Sequence, residues 1–192
     1  MTVTINITNT HHLSFDHLKR YGVGSIFVET GTYRGDGIKQ ALDFGFQRVY
    51  SCDINQELLE YSRARFVGDE RVQIMDMDSC DFLDALIGDM VFPGGFFQND
   101  RVTFWLDAHR SGPLPGGKNG DCPLVPELNI IGKSHRKDHT IFIDNKALFG
   151  SAEWGGVTLK ETIDAIYRIN PDYKIIELDG VFKDDIVCAH MV

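Results

Sequence analysis

Five short stretches of the chain carry residues whose types and spacing could do chemistry together. They are VETGTYRGDG around Glu29 and Gly31, SCDIN around Asp53, MDS at 77–79, WLDAHRSG around Asp107 and His109, and FIDNK around Asp144 and Asn145. A dinucleotide-binding turn would need glycines at 31, 33 and 36, whereas this chain has Gly31, Tyr33 and Asp36. No lysine lies in the turn to hold phosphates. Glu29, two residues before Gly31, would repel a pyrophosphate but could pair with a cation. The turn therefore reads as built for a nucleoside carrying a positive group. Asp53 stands 22 residues after Gly31, where a carboxylate can accept both hydroxyls of a ribose. Asp78 could accept a hydrogen bond from an adenine amine; alternatively, Asp78 or Ser79 caps a helix.

A second group is oxygen-rich. Asp107 and Asp144 are 37 residues apart, yet each falls at the end of a strand-like run. Two carboxylates and the amide of Asn145 form a hard oxygen set suited to magnesium or another divalent ion. Such an ion could bind an acceptor hydroxyl and lower its pKa. The competing reading is that both aspartates only cap loops. His109 is a candidate general base because an unperturbed imidazole titrates near pH 6.5. It could instead ligate a metal, and with Asp107, Cys122 and Glu127 it could form a zinc site, although the ligand spacing is not diagnostic. GPLPGGKN at 112–119 nearly matches a phosphate loop, but Asn119 replaces the Ser or Thr and two prolines remove amides. Lys118 could still reach an anionic acceptor. Trp154 reads equally as a wall of an acceptor pocket or a surface cap.

The elements that must position these residues alternate. Strand-like runs occupy 25–29, 48–53, 72–75, 102–107, 140–144, 173–178 and 185–191, with amphipathic helical segments at 37–45, 55–66, 79–88, 122–132 and 157–169. Such alternation predicts an α/β domain with a mostly parallel sheet. About seven residues join the last two strands, too few for a parallel crossover, so these should form an antiparallel hairpin. In open α/β sheets ligands bind beyond the carboxyl ends of the strands, where all five stretches fall. The Gly/Pro loop at 110–121 lies at that end and takes a functional reading, while the apolar loop at 90–100 takes a structural one.

Composition bounds the function. The 192 residues predict a single domain, with 1–24 as a polar lead-in. A net charge of −9 and the absence of a basic run argue against nucleic acid and anionic membranes as partners. No apolar stretch is long enough for a membrane span, and no signal peptide is evident. The four cysteines are scattered without a CxxC, which fits a reducing, cytoplasmic setting.

In order and spacing, ETGTYRGDG, CDIN and MDS resemble the class I S-adenosylmethionine-dependent methyltransferases, over residues 26–192. GTYRG is similar to the branch containing catechol O-methyltransferase. WLDAHRSG, DCPLVPEL and FIDNKALFG resemble small bacterial and phage-type methyltransferases of poorly defined substrate, some linked to glycan modification. The resemblance implies a Rossmann-like seven-stranded sheet in the order 3-2-1-4-5-7-6 with strand seven antiparallel. It implies that Glu29, Thr30, Gly31, Thr32, Tyr33 and Gly35 face the methionine part of S-adenosylmethionine. Asp53 and Ile54 would lie at ribose, Asp78 and Ser79 beside adenine, and Asp107 near the reacting end. It also implies magnesium on Asp107, Asp144 and Asn145. The branch has a lysine base where this chain has Arg110, and arginine is a poor base, so His109 is preferred. The activity implied is O-methyl transfer to a small-molecule or glycan hydroxyl. The alternatives are an aminopropyltransferase-like enzyme and a non-catalytic binding subunit of the same fold.

Overall fold

A computed structural model describes residues 13–88, 100–109, 117, 118 and 120–192. Seven strands form one sheet: β1 (Ile26–Thr30), β2 (Arg48–Asp53), β3 (Val72–Asp76), β4 (Val102–Leu106), β5 (Thr140–Ile143), β6 (Lys174–Leu178) and β7 (Ile186–His190). Their order is β3-β2-β1-β4-β5-β7-β6. β1 to β5 pair in parallel, while β7 runs antiparallel to both β5 and β6. The short β6–β7 connection leaves no room for any other arrangement.

Strands buried on both faces send alternate side chains to opposite cores. Phe27, Trp105 and Phe142 pack with Leu18, Ile38, Ala41 and Leu59. These come from α1 (Phe15–Tyr21), α2 (Asp36–Phe44) and α3 (Gln56–Arg65). Val28, Phe104 and Ile141 pack on the other face with Leu83, Leu128 and Ile166. Those belong to α4 (Ser79–Ile87), α5 (Leu124–Ile131) and α6 (Leu159–Ile169). The helices of each layer bury their apolar stripes on one strand face, and this pins the strand ends in depth relative to each other.

The segment read as a lead-in contains α1. Its capping box is Ser14 with His17 at the third helical position, where the usual signature has Glu or Gln. Leu18 anchors it to the sheet at 0% exposure. β1 sits between β2 and β4, so the winding of the sheet reverses there. A crevice opens at such a reversal because the flanking connections leave toward opposite faces.

Candidate functional site

The turn after β1 is tied to β2. Gly31 has φ 85°, and the N–H groups of Gly31 and Thr32 both donate to the Cys52 carbonyl at 3.0 Å. A Cβ on Gly31 would lie 2.8 Å from the carbonyl oxygen of Asp107, so only glycine lets the turn lie against the end of β4. Tyr33 follows at φ 46°, a costly conformation for a bulky residue. Its N–H donates to Asp53 Oδ2 at 2.9 Å, and Asn55 N–H donates to Asp53 Oδ1 at 2.9 Å. Two backbone donors thus orient the Asp53 carboxylate, and each oxygen keeps a lone pair for a ligand hydroxyl.

Glu29 is 2% exposed and receives Ser51 Oγ–H at 2.6 Å. Burial pushes its carboxyl up to about 8; Ser51 opposes the rise, and Asp53 and Asp36 add to it. Asp107, just beyond β4, accepts Asn145 Nδ2–H at 2.9 Å. Its carboxyl is also raised well above the usual range, by burial first and then by the charges of Asp144 and Glu29. A quarter of its side chain nevertheless stays exposed at the cavity. His109 Nδ1 lies 3.0 Å from the Asp107 carbonyl oxygen and 3.6 Å from its Oδ1. Behind His109 stands Trp154, 2% exposed, with ring centroids 5.7 Å apart. Trp154 is therefore neither a surface cap nor a wall of the cavity; it packs behind the imidazole.

These groups line a cavity of about 440 Å³ across the ends of β1, β2, β3 and β4. Gly31, Thr32, Tyr33, Asp53 and Ile54 line it, as do Glu29, Asp78, Ser79, Asp107, His109 and Asn145. Asp78 both caps α4, accepting Cys80 N–H at 3.0 Å, and faces the cavity, so its two readings are compatible. Six carboxylates border the space (Glu29, Asp36, Asp53, Asp78, Asp107, Asp121), and the described lining includes no lysine or arginine. Asp36 is already paired with Arg65 at 2.6 Å.

Several expected residues are placed elsewhere. Thr30 is fully buried and absent from the lining, because side chains alternate along β1 and Glu29 takes the cavity side. Gly35 also lies off the cavity: its φ of 77° starts α2, and a Cβ there would meet the Phe66 ring at 2.6 Å. Asp144 is 0% exposed and is likewise not part of the lining, while Asn145 turns its amide N–H to Asp107. The oxygens expected to hold magnesium are thus not presented together to the cavity. Among the described residues no group of three or more His, Cys, Asp or Glu is placed to hold a metal, the suggested zinc set of Asp107, His109, Cys122 and Glu127 included. Lys118 is engaged with Asp81. Arg110, and residues 112–116 and 119 of the phosphate-loop-like stretch, lie outside the described residues.

Sequence reasoning missed Leu13, Gln40 and Trp105, which also line the cavity. Leu13 and Trp105 carry an ordinary core pattern and Gln40 an ordinary polar helix one, and only the packing of the fold brings them to the cavity. Glu127 on α5, considered from the sequence only as a zinc ligand, is instead a buried acidic neighbour of the site. Burial pushes its carboxyl up to about 7 against the hydroxyls of Ser79 and Thr30.

The fold is shared with solved S-adenosylmethionine-dependent methyltransferases. An O-methyltransferase from Bacillus cereus solved with SAH superposes with TM-score 0.60 at 15% identity, over 95% of this chain and 84% of that one. An S-adenosylmethionine-dependent methyltransferase from Mesorhizobium loti gives 0.53 at 12% identity, over 87% and 90%. Spermidine synthase from Thermotoga maritima gives 0.58 at 11% identity, and the 88% of this chain that aligns spans only 54% of that enzyme. No protein-family model matches the sequence, and no curated protein matches it. Among the described residues no helix is long and apolar enough to cross a membrane.

Proposed function

We propose that this chain is an S-adenosylmethionine-dependent methyltransferase acting on a small-molecule or glycan hydroxyl. The observation that carries the reading is the cavity itself. An oriented ribose-type carboxylate, Asp53, and a buried carboxylate, Glu29, share a wall whose described lining has no lysine or arginine. That combination favours a nucleoside bearing a positive charge and disfavours a phosphate-bearing one.

The residues fit the cofactor. Asp53 would hold the ribose hydroxyls, and Asp78 with Ser79 would border the adenine. Ile54, 48% exposed at the rim, would cover a nucleoside face. Bound S-adenosylmethionine supplies an electrophilic methyl group and a neutral thioether leaving group. His109 stands on the far side of Gly31, where β4 ends. Its Nδ1 is engaged by the Asp107 carbonyl, which leaves Nε2 free to take a proton from an acceptor hydroxyl as the oxygen attacks in line. Trp154 holds the ring in that orientation, so most of the effect is positioning.

Calorimetric titration with S-adenosylmethionine tests the reading, followed by methyl transfer to a panel of hydroxyl-bearing acceptors in excess chelator. Binding together with transfer that survives chelation is the expected result. Absence of binding would favour the non-catalytic subunit, and transfer lost on chelation would restore the metal reading at Asp107 and Asn145. One observation favours a second reading: the described lining offers no cation for the carboxylate of an amino-acid tail. Decarboxylated cofactor binding more tightly than S-adenosylmethionine would indicate aminopropyl transfer instead.

A further inference from the structure

Glu29 has surroundings that a structural carboxylate would not need. It is 2% exposed yet lines the cavity. From β2, Ser51 donates to it at 2.6 Å, and Ser51 Oγ is shared with Thr32 Oγ1, also at 2.6 Å. From α2, Gly37 approaches so closely that a Cβ there would lie 1.9 Å from Glu29 Oε1. On β4 its register neighbour is Trp105. The charged groups that bear on it are carboxylates: Asp53 at the end of β2, Asp36 at the start of α2, and Asp107 beyond β4. Arg65 reaches Asp36 at 2.6 Å and is taken up there. The other titratable groups of the same cavity are Asp78, Asp121, Tyr33, Cys52 and His109.

We propose that Glu29 selects for ligand charge, distinguishing the cationic methyl donor from the neutral thioether product by ionising only when the cation is bound. The inference rests on the cofactor reading above. Donor and product share the adenosine, and both carry an amino-acid tail whose ammonium and carboxylate cancel. The charge that differs between them is the sulfonium. In a low-dielectric pocket a carboxyl without a cation stays neutral, and a cation placed in the same pocket draws off its proton. The proton passes to solvent and the carboxylate remains beside the ligand. Once the methyl group has left, the positive charge is gone. The carboxylate then recaptures a proton, and the product no longer has an ion partner. Glu29 thereby favours the exchange of product for donor.

The test is calorimetry of the full chain with S-adenosylmethionine and, separately, S-adenosylhomocysteine, in buffers of different ionisation enthalpy. At pH 7 the donor should release a proton count approaching about one, and the product about none, because the free carboxyl titrates near 8. Donor affinity should rise about tenfold per pH unit below that point and level off above it, with product affinity flat. Glu29→Gln matches the neutral carboxyl in shape. It should abolish the proton release and shrink the preference for donor over product by about tenfold or more. Ser51→Ala keeps the carboxylate but removes its donor, so the donor's pH midpoint should move upward. Equal proton release with donor and product, or a preference unchanged in Glu29→Gln, would overturn the proposal while leaving cofactor binding intact. Failure of S-adenosylmethionine to bind the unmodified protein would overturn both readings.

Discussion

Asp53 and Gly31 work at the scale of single residues, and each has a contact that its type alone does not reveal. Asp53 holds the Tyr33 and Asn55 N–H groups, so it shapes the turn as well as receiving a ribose. Asp53→Ala should weaken S-adenosylmethionine binding by about 2–4 kcal/mol, from two charge-assisted hydrogen bonds partly replaced by water. Unchanged affinity in a folded variant, read by calorimetry, would remove the ribose role. A side chain on Gly31 would strike the backbone of Asp107 and Ala108 as well as enter the cavity. With φ at 85° as well, Gly31→Ala should cost roughly 1–3 kcal/mol of stability in addition to cofactor affinity. A melting temperature equal to the parent's would show that the turn can relax.

At the scale of elements, the connection between β5 and α6 shows how packing reaches the chemistry. Two single-turn 3-10 segments, Lys146–Leu148 and Ala152–Trp154, fold this connection back against the sheet. Asp185 receives Ala147 N–H at 3.0 Å and anchors the first to the β6–β7 side. Trp154 ends the second, edge-on to Phe149 at 4.9 Å and beside His109. Trp154→Ala should destabilise the protein by about 3–5 kcal/mol, the usual cost of deleting a buried aromatic. It should also lower kcat more than it raises KM, because an unsupported imidazole is misplaced rather than absent. Trp154→Phe should restore most of the stability and part of kcat. If kcat follows only the folded fraction, Trp154 has no positioning role.

Over the whole molecule, two buried carboxyls, Glu29 and Glu127, flank the site, and the charges of both bear on Asp107. Glu29 and Glu127 are 2% and 1% exposed, and burial raises their carboxyls to about 8 and about 7. Both hold protons in the folded state that the unfolded chain releases above about pH 4.5. Stability of the ligand-free protein should therefore fall as pH rises from about 5 to 8, by something on the order of several kcal/mol for the pair. The loss should stop once the folded-state groups have ionised. Thermal melts across this range should show the decline, and Glu29→Gln with Glu127→Gln should reduce it, leaving the part that comes from Asp107. Stability rising with pH over the same interval would mean that these carboxyls already sit beside cations.

The sequence by itself determined the alternation of strands and helices, the antiparallel last hairpin and the ends of the strands, while the strand order followed only from the family resemblance. Hydrophobic alternation and a seven-residue last connection fix the first two, and an acidic or glycine residue marks the end of each parallel strand. Tyr33, Asp53 and Asp78 were legible for the same reason, since local turn and cap chemistry is written in neighbouring residues. What only tertiary structure decided is how deep each group sits. Thr30 and Gly35 belong to the motif but lie off the cavity, because strand alternation and the Phe66 ring claim them. Asp144 follows β5 as expected, yet the sheet and its flanking layers bury it, so it does not open to the cavity beside Asp107. Leu13 enters the cavity, and Trp154 and Glu127 take places other than the pocket wall or surface cap and the zinc ligand expected of them, through contacts far along the chain. Burial then sets the proton affinity of Glu29, because desolvation depends on every neighbour the fold assembles and not on the residue itself.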